Sequence, residues 1–138
     1  MHTLPLRLRP GCDLRREIEQ AVGARPDQCG FVLSGIGSLA QASLRFAAAE
    51  SSTLLVEPLE VLSLAGSVTP EGAHLHAAVS TASGRVLGGH VGYGCLVRTT
   101  AEVLIAVLPE WKLSREHDPA SAYKELTISR RSDREVER

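Results

Sequence analysis

Three of the five histidines, His74, His76 and His90, fall in one short glycine-rich stretch. His74 and His76 are two apart in HLHAAVS, a run with strand character, so both side chains leave from the same face. Between this run and RVLGGHV lies Thr81-Ala82-Ser83-Gly84-Arg85. That segment suits a three-residue hairpin loop, a type I turn at Ala82-Ser83 followed by Gly84 in the left-handed region. With Thr81 facing Arg85, His76 stands opposite His90 and His74 opposite Gly92. Opposed β-carbons are ~4.5–5.5 Å apart and diagonal ones ~7–8 Å, so the three imidazoles can converge. A two-residue loop would slip the register by one and turn His90 to the other side.

Three neutral imidazoles form a donor set for zinc or another divalent transition metal. A fourth position is then left for water, an acidic side chain or a neighbouring subunit. Gly88, Gly89 and Gly92 would let a ligand or a second backbone approach closely. The same residues also read as half-exposed histidines on a polar sheet face with glycines serving bulges. Spacing alone leaves both readings open.

Other groups carry weaker signals. Ser34-Gly35-Ile36-Gly37-Ser38 reads as an ordinary turn or, through its backbone N–H groups, as an anion cradle, but it lacks the full G-x-G-x-x-G pattern. Cys95 precedes an apolar strand and reads as a buried small side chain rather than a nucleophile. Glu102 sits within TTAEVLIAVL as an exposed or subunit-facing charge, or as a general base. Arg98 shares its face but lies ~13 Å along the strand, too far to pair with it. No catalytic residue is assigned.

The elements that must position these groups follow from periodicity. Leu4, Leu6 and Leu8 alternate before Pro10-Gly11, predicting a short strand that stops at a turn. Asp13 is a suitable N-cap for a helix with Leu14, Ile18, Ala21 and Val22 on one face, and Gly23 is placed to end it in a left-handed conformation. From Cys29 the pattern changes to apolar runs divided by glycines, CGFVLSGIGS, LAQASLRFAAA and TLLVEPLEVLSLAGSV, which begin a sheet. Pro58 either interrupts one strand there or separates two. HLHAAVS, RVLGGHV and CLVRTTAEVLIAVL add three strands. Most connections are too short for helical crossovers, so the sheet is largely antiparallel with the early helix on one face, an α+β arrangement. After Trp111 a polar segment carries a turn at Asp118-Pro119 and a last strand through Leu126 and Ile128. Residues 4–129 form the expected domain, and 130–138 read as a frayed polar tail.

Length and composition bound the class of function. A chain of 138 residues suits one domain, and 43% hydrophobic with 22% charged residues is an ordinary globular balance. The formal net charge of −1 provides no global field for a polyanion, although all basic residues but Lys112 and Lys124 are arginines suited to local oxyanion contacts. Cys12, Cys29 and Cys95 have no C-x-x-C spacing and read as reduced thiols. MHTLPLRLRP lacks a signal-peptide layout, and no apolar run approaches the ~20 residues of a membrane span. The expected compartment is the cytoplasm.

Four stretches resemble the PPC (plants and prokaryotes conserved) domain: Pro10-Gly11 with Asp13-Leu14, SGIGSLAQASLRF, PLEVLSLAGSV, and the long LHAAVSTASGRVLGGHVGYGCLVRTTAEV. The resemblance runs from Leu6 to about Ile128. It implies an α/β domain with a mainly antiparallel sheet that forms trimers, standing alone in prokaryotes. It also maps the family's histidine pattern onto His74, His76 and His90. In plants the domain follows an Arg-Gly-Arg-Pro AT-hook, from which a DNA-binding role is extended to prokaryotic members by analogy. This chain contains no such segment. The expectation is therefore a homotrimeric binding or interaction module with a three-histidine metal site, zinc foremost, and with DNA association supported by family analogy alone. The rival is a metal-dependent hydrolase or lyase in which the metal activates a water and Glu102 moves protons.

Overall fold

A computed structural model of the protein describes residues 1–25 and 29–132. Strand β1 (His2–Leu8) leads into helix α1 (Leu14–Gly23), and eight further strands follow: β2 (Gly30–Arg45), β3 (Thr53–Leu55), β4 (Leu59–Thr69), β5 (Gly72–Ser80), β6 (Val86–Val91), β7 (Leu96–Val107), β8 (Trp111–Asp118) and β9 (Tyr123–Arg130). The sheet order is β1-β7-β2-β4-β5-β6 with β3 on β2, and β8-β9 form a separate ribbon. Every pairing is antiparallel. The expected α+β architecture is the observed one. Residues 133–138, most of the expected tail, lie outside the described residues, and Arg130 ends β9.

The long strand β2 organises the sheet. Its 16 residues span roughly 50 Å at ~3.4 Å per residue, enough to serve several neighbours. Its first two-thirds pair with β4 on one side and β7 on the other, and its end pairs with β6 through Leu44–Val91 and Arg45–His90. Because β4, β5 and β6 also pair in turn, β2, β4, β5 and β6 close into a ring. The expected turn or anion cradle at Ser34–Ser38 is corrected: those residues run inside β2. Pairing with β7 from Ser34 to Gly37, joined by β4 at Gly37 and Ser38, supplies hydrogen bonds that a turn would forfeit, and register shifts at Val32/Ser34 and Gly37/Leu39 absorb the irregularity. Pro58 falls between β3 and β4 and separates two strands.

The core lies between the sheet and α1. Leu14, Ile18 and Val22 bury one helix face, and the helix packs against β4, β5 and β7. Leu39, Leu44, Leu75, Val79, Val91, Val97 and Ile105 meet it from the strands. Asp13 caps the helix, its Oδ1 accepting from the Arg16 N–H at 3.1 Å, while its Oδ2 accepts from the Gly94 N–H at 2.7 Å. The expected left-handed stop at Gly23 is not observed. Gly23 is the last helical residue and Ala24 caps the helix in the right-handed region, its N–H still bonded to the Gln20 carbonyl.

Glu19 ties the helix to the sheet. Its Oε1 accepts from the Ala73 N–H and from Arg15 Nε, both at 2.9 Å, and its Oε2 accepts from the Tyr93 hydroxyl at 2.7 Å. Burial pushes this carboxyl up, but the Ala73, Arg15 and Tyr93 hydrogen bonds outweigh it and hold Glu19 below its usual value. A carboxyl that is more acidic folded than unfolded contributes stability that is complete above the usual carboxylate range and is lost as pH falls through the folded value. Glu19→Gln is expected to lower the thermal midpoint near neutral pH and to flatten its decline on acidification below the usual value of 4.5. Thermal unfolding followed by circular dichroism across that range checks both slopes.

Candidate metal centre

The β5–β6 hairpin has the expected loop. The Thr81 N–H donates to the Arg85 carbonyl and the Gly84 N–H to the Thr81 carbonyl, both at 2.9 Å, with Gly84 at φ +80°. Five residue pairs follow in register, from Ser80–Val86 to His76–His90. The expected His74–Gly92 pair is not formed. β6 ends at Val91, and the Gly92 N–H donates to the Ser43 carbonyl of β2 at 2.9 Å, because ring closure draws the chain across to β2. His74 instead stands opposite Ser67 across β4–β5.

All three imidazoles nevertheless meet. Each offers a nitrogen, and these nitrogens lie within 4.8 Å of one another. The Nε2 atoms of His74 and His76 are 3.1 Å apart, close to the roughly 3.3 Å between two nitrogens on one tetrahedral zinc at ~2.0–2.1 Å. Ring centroids are 5.0 Å apart for His74–His76 and His74–His90, and 5.8 Å for His76–His90. His74 and His76 are exposed and His90 is half-buried.

The electrostatics keep His74 and His90 ready to donate lone pairs. Burial and the neighbouring His74, Arg45 and Arg15 push His90 down to about 4. Burial, Arg115 and His76 lower His74, with Glu125 opposing them. Both rings are thus neutral at pH 7, the state a metal requires. His90 Nδ1 is buried and makes no hydrogen bond, which normally costs free energy. A buried, unpartnered imidazole nitrogen beside two other imidazoles fits a coordinated cation, and the donor set suits zinc or a similar ion.

The remaining sequence candidates fall elsewhere. Glu102 projects from β7 between Arg7 of β1 and Ile36 of β2. It lines two clefts that contain none of the histidines. The carboxylates beside the histidines are Glu71 and Glu125, in a cleft of about 600 Å³ also lined by Arg15, Arg45, Arg115 and Lys124. Sequence reasoning missed these residues, since β8 and β9 join the cleft only through the tertiary fold. Cys95 is buried as expected, and burial raises its thiol.

With this geometry in view, comparison with known proteins places the chain. The profile of the Plants and Prokaryotes Conserved (PCC) domain matches residues 1–109. The chain belongs to this family. It is the PPC domain that the sequence resembles. A hypothetical protein from Salmonella cholerae-suis shares the fold with a TM-score of 0.91 at 39% identity, covering 95% of both chains. A metal-containing protein from Archaeoglobus fulgidus matches at TM-score 0.77 and 26% identity, over 92% of this chain and 94% of that one. A presumed DNA-binding protein from Ralstonia eutropha JMP134 matches at TM-score 0.77 and 24% identity, over 91% of this chain and 90% of that one, a likeness of fold alone. The bifunctional protein GlmU of Synechococcus sp. (strain JA-3-3Ab) is 50% identical over 130 residues, which are 94% of this chain. This PPC chain spans only about a fifth of that relative, 21% of its length.

Gly66 of β4 fixes the backbone behind His74. It sits at φ +153°, and a β-carbon there would run into the His74 carbonyl. Gly66→Ala is expected to destabilise the protein by about 1–3 kcal/mol. Gly84→Asn, at a left-handed position with open space around it, should cost less than about 1 kcal/mol. Urea unfolding of both variants checks the contrast.

Proposed function

We propose that this PPC domain is an oligomeric binding module whose β5–β6 hairpin holds one divalent transition ion, zinc foremost, on His74, His76 and His90. The observation that carries the reading is the convergence of the three imidazole nitrogens within 4.8 Å. The unpartnered His90 Nδ1 and the metal-containing relative from Archaeoglobus fulgidus support it. Bound there, the ion supplies a positive centre that attracts and polarises a ligand oxygen. His74 and His90 present neutral donors, and the hairpin holds the three rings to one side of the sheet.

Self-association is the second part of the proposal. Ile36, Leu62 and Leu104 expose apolar side chains from β2, β4 and β7, and Ile36 links two adjoining clefts on that surface. An apolar patch of this kind, interleaved with Arg7, Glu60 and Glu102, suits another copy of the chain. The family expectation of a trimer agrees with it. Leu62 belongs to PLEVLSLAGSV, one of the stretches that carry the resemblance to the PPC domain. The Cys12 and Cys95 thiols fit a cytoplasmic setting, and among the described residues no helix is long and apolar enough to cross a membrane.

The rival readings have less support. A hydrolase using Glu102 would need that carboxylate near the ion, and Glu102 lines other clefts. DNA binding, suggested by the name of the Ralstonia relative, would need surplus positive charge, and the formal net charge is −1.

Plasma mass spectrometry of the untagged protein is expected to return about one zinc or similar ion per chain, lost in His76→Ala. A folded wild type that neither carries nor takes up metal would end the metal reading. Light scattering is expected to give three times the 14.8 kDa chain mass, reduced by Ile36→Glu. A monomeric wild type would remove the assembly half of the proposal.

A further inference from the structure

The β8–β9 hairpin lies beyond residue 109, where the family match ends. It nevertheless builds one wall of the cleft over the histidines, contributing Arg115, Tyr123, Lys124 and Glu125 opposite Arg15, Arg45, His74 and His90. At about 600 Å³ the cleft falls within the ~300–1,000 Å³ of small-molecule sites.

Its arginines are tied to the backbone positions that carry the histidines. Arg115 Nη2 donates to Ser67 Oγ at 2.6 Å, and Ser67 is the cross-strand partner of His74. Arg45 stands directly opposite His90 in the β2–β6 pairing, so the row His76–His90–Arg45 runs across three strands on one face. Arg15 donates to the Val91 carbonyl, one residue beyond His90, at 3.3 Å.

The charges in this cleft are unbalanced. Four cations line it against the two carboxylates Glu71 and Glu125. Arg15 is paired with Glu19, but among the described residues Arg45, Arg115 and Lys124 have no carboxylate within ion-pair distance. Three neutral imidazoles would also leave the full charge of a divalent ion uncompensated. Guanidinium groups converging on such a centre match the geometry of an oxyanion, which they bind through paired N–H donors.

We propose that the cleft between the three-histidine centre and the β8–β9 hairpin binds the oxyanion group of a small molecule, a phosphate or a carboxylate, held by Arg45, Arg115 and Lys124. The inference builds on the metal reading, since the ion would add a contact to the same oxyanion, while the arginine and lysine contacts are independent of it. The hairpin thereby adds the groups that select the ligand to a domain whose metal donors lie entirely on β5 and β6.

The test is calorimetric titration of the full untagged chain, with metal content measured on the same samples, using inorganic phosphate and succinate as separate probes. At least one probe is expected to bind the metal-loaded wild type. It should bind about tenfold or more weakly to Arg45→Gln and Arg115→Gln, with metal content retained. Arg98→Gln, at an exposed position on β7, should match the wild type. Whichever probe binds more tightly assigns the ligand as phosphate or carboxylate. Arg45 is exposed and donates to the Ala49 carbonyl at 3.4 Å in an exposed loop, so Arg45→Gln guards against a folding defect in Arg115→Gln. A metal-loaded protein that binds neither probe, or binds them equally well in both arginine variants, overturns the inference. If the wild type holds no metal, the metal reading fails separately. Arginine-dependent binding to that metal-free protein would still uphold the oxyanion site, and its absence there would overturn it.

Discussion

Two hydrogen bonds across the Thr81–Arg85 loop decide which side of the sheet carries the chemistry. Together with Gly84 in the left-handed region they make the loop three residues long. Since side chains alternate along a strand, that length puts His76 and His90 directly opposite each other. One residue fewer would send His90 toward the other face. The site therefore depends on a local turn whose sequence demands are modest: a residue that tolerates positive φ at Gly84, and β-rich arms of matched length.

Ring closure converts this hairpin into a cleft. A strand of 16 residues can pair with β4 and β7 along its first part and still reach β6 at its end. That reach ends the β5–β6 pairing at His90 and sets Arg45 beside it. Helix α1 reinforces the same region, and its Arg15 lines the cleft itself. Glu19 holds the Ala73 N–H one residue before His74, and Arg15 reaches the Val91 carbonyl one residue after His90. Both ends of the histidine cluster are thus fixed by the element that also closes the core.

The electrostatics follow from that crowding. Partial burial, together with the neighbouring imidazoles and Arg15, Arg45 and Arg115, makes His74 and His90 lose their protons readily, which suits them as ligands rather than charged surface groups. Among the described residues Arg45 and Arg115, unlike Arg15, have no carboxylate within ion-pair distance. A metal with an oxyanion would satisfy both conditions at once, because the imidazoles contribute lone pairs without charge and the cations need a negative partner.

The sequence by itself determined the strand periodicity, the Asp13 cap, the antiparallel arrangement and the one-face placement of His74, His76 and His90. These rest on local rules, namely side-chain alternation, turn length and capping, which act over a few residues. Its glycine signals misled in part: Ser34–Ser38 reads as a turn but runs as strand against β7, with β4 joining at Gly37 and Ser38, and Gly23 ends the helix without the left-handed conformation, Ala24 capping it in the right-handed region. Only the tertiary structure decided that Glu102 sits apart from the histidines, and that Arg45, Arg115 and Lys124 surround them. Those residues come from β2, β8 and β9, far apart in the chain. No periodicity within a single segment encodes which distant strands a ring closure or a terminal hairpin will bring to one cleft.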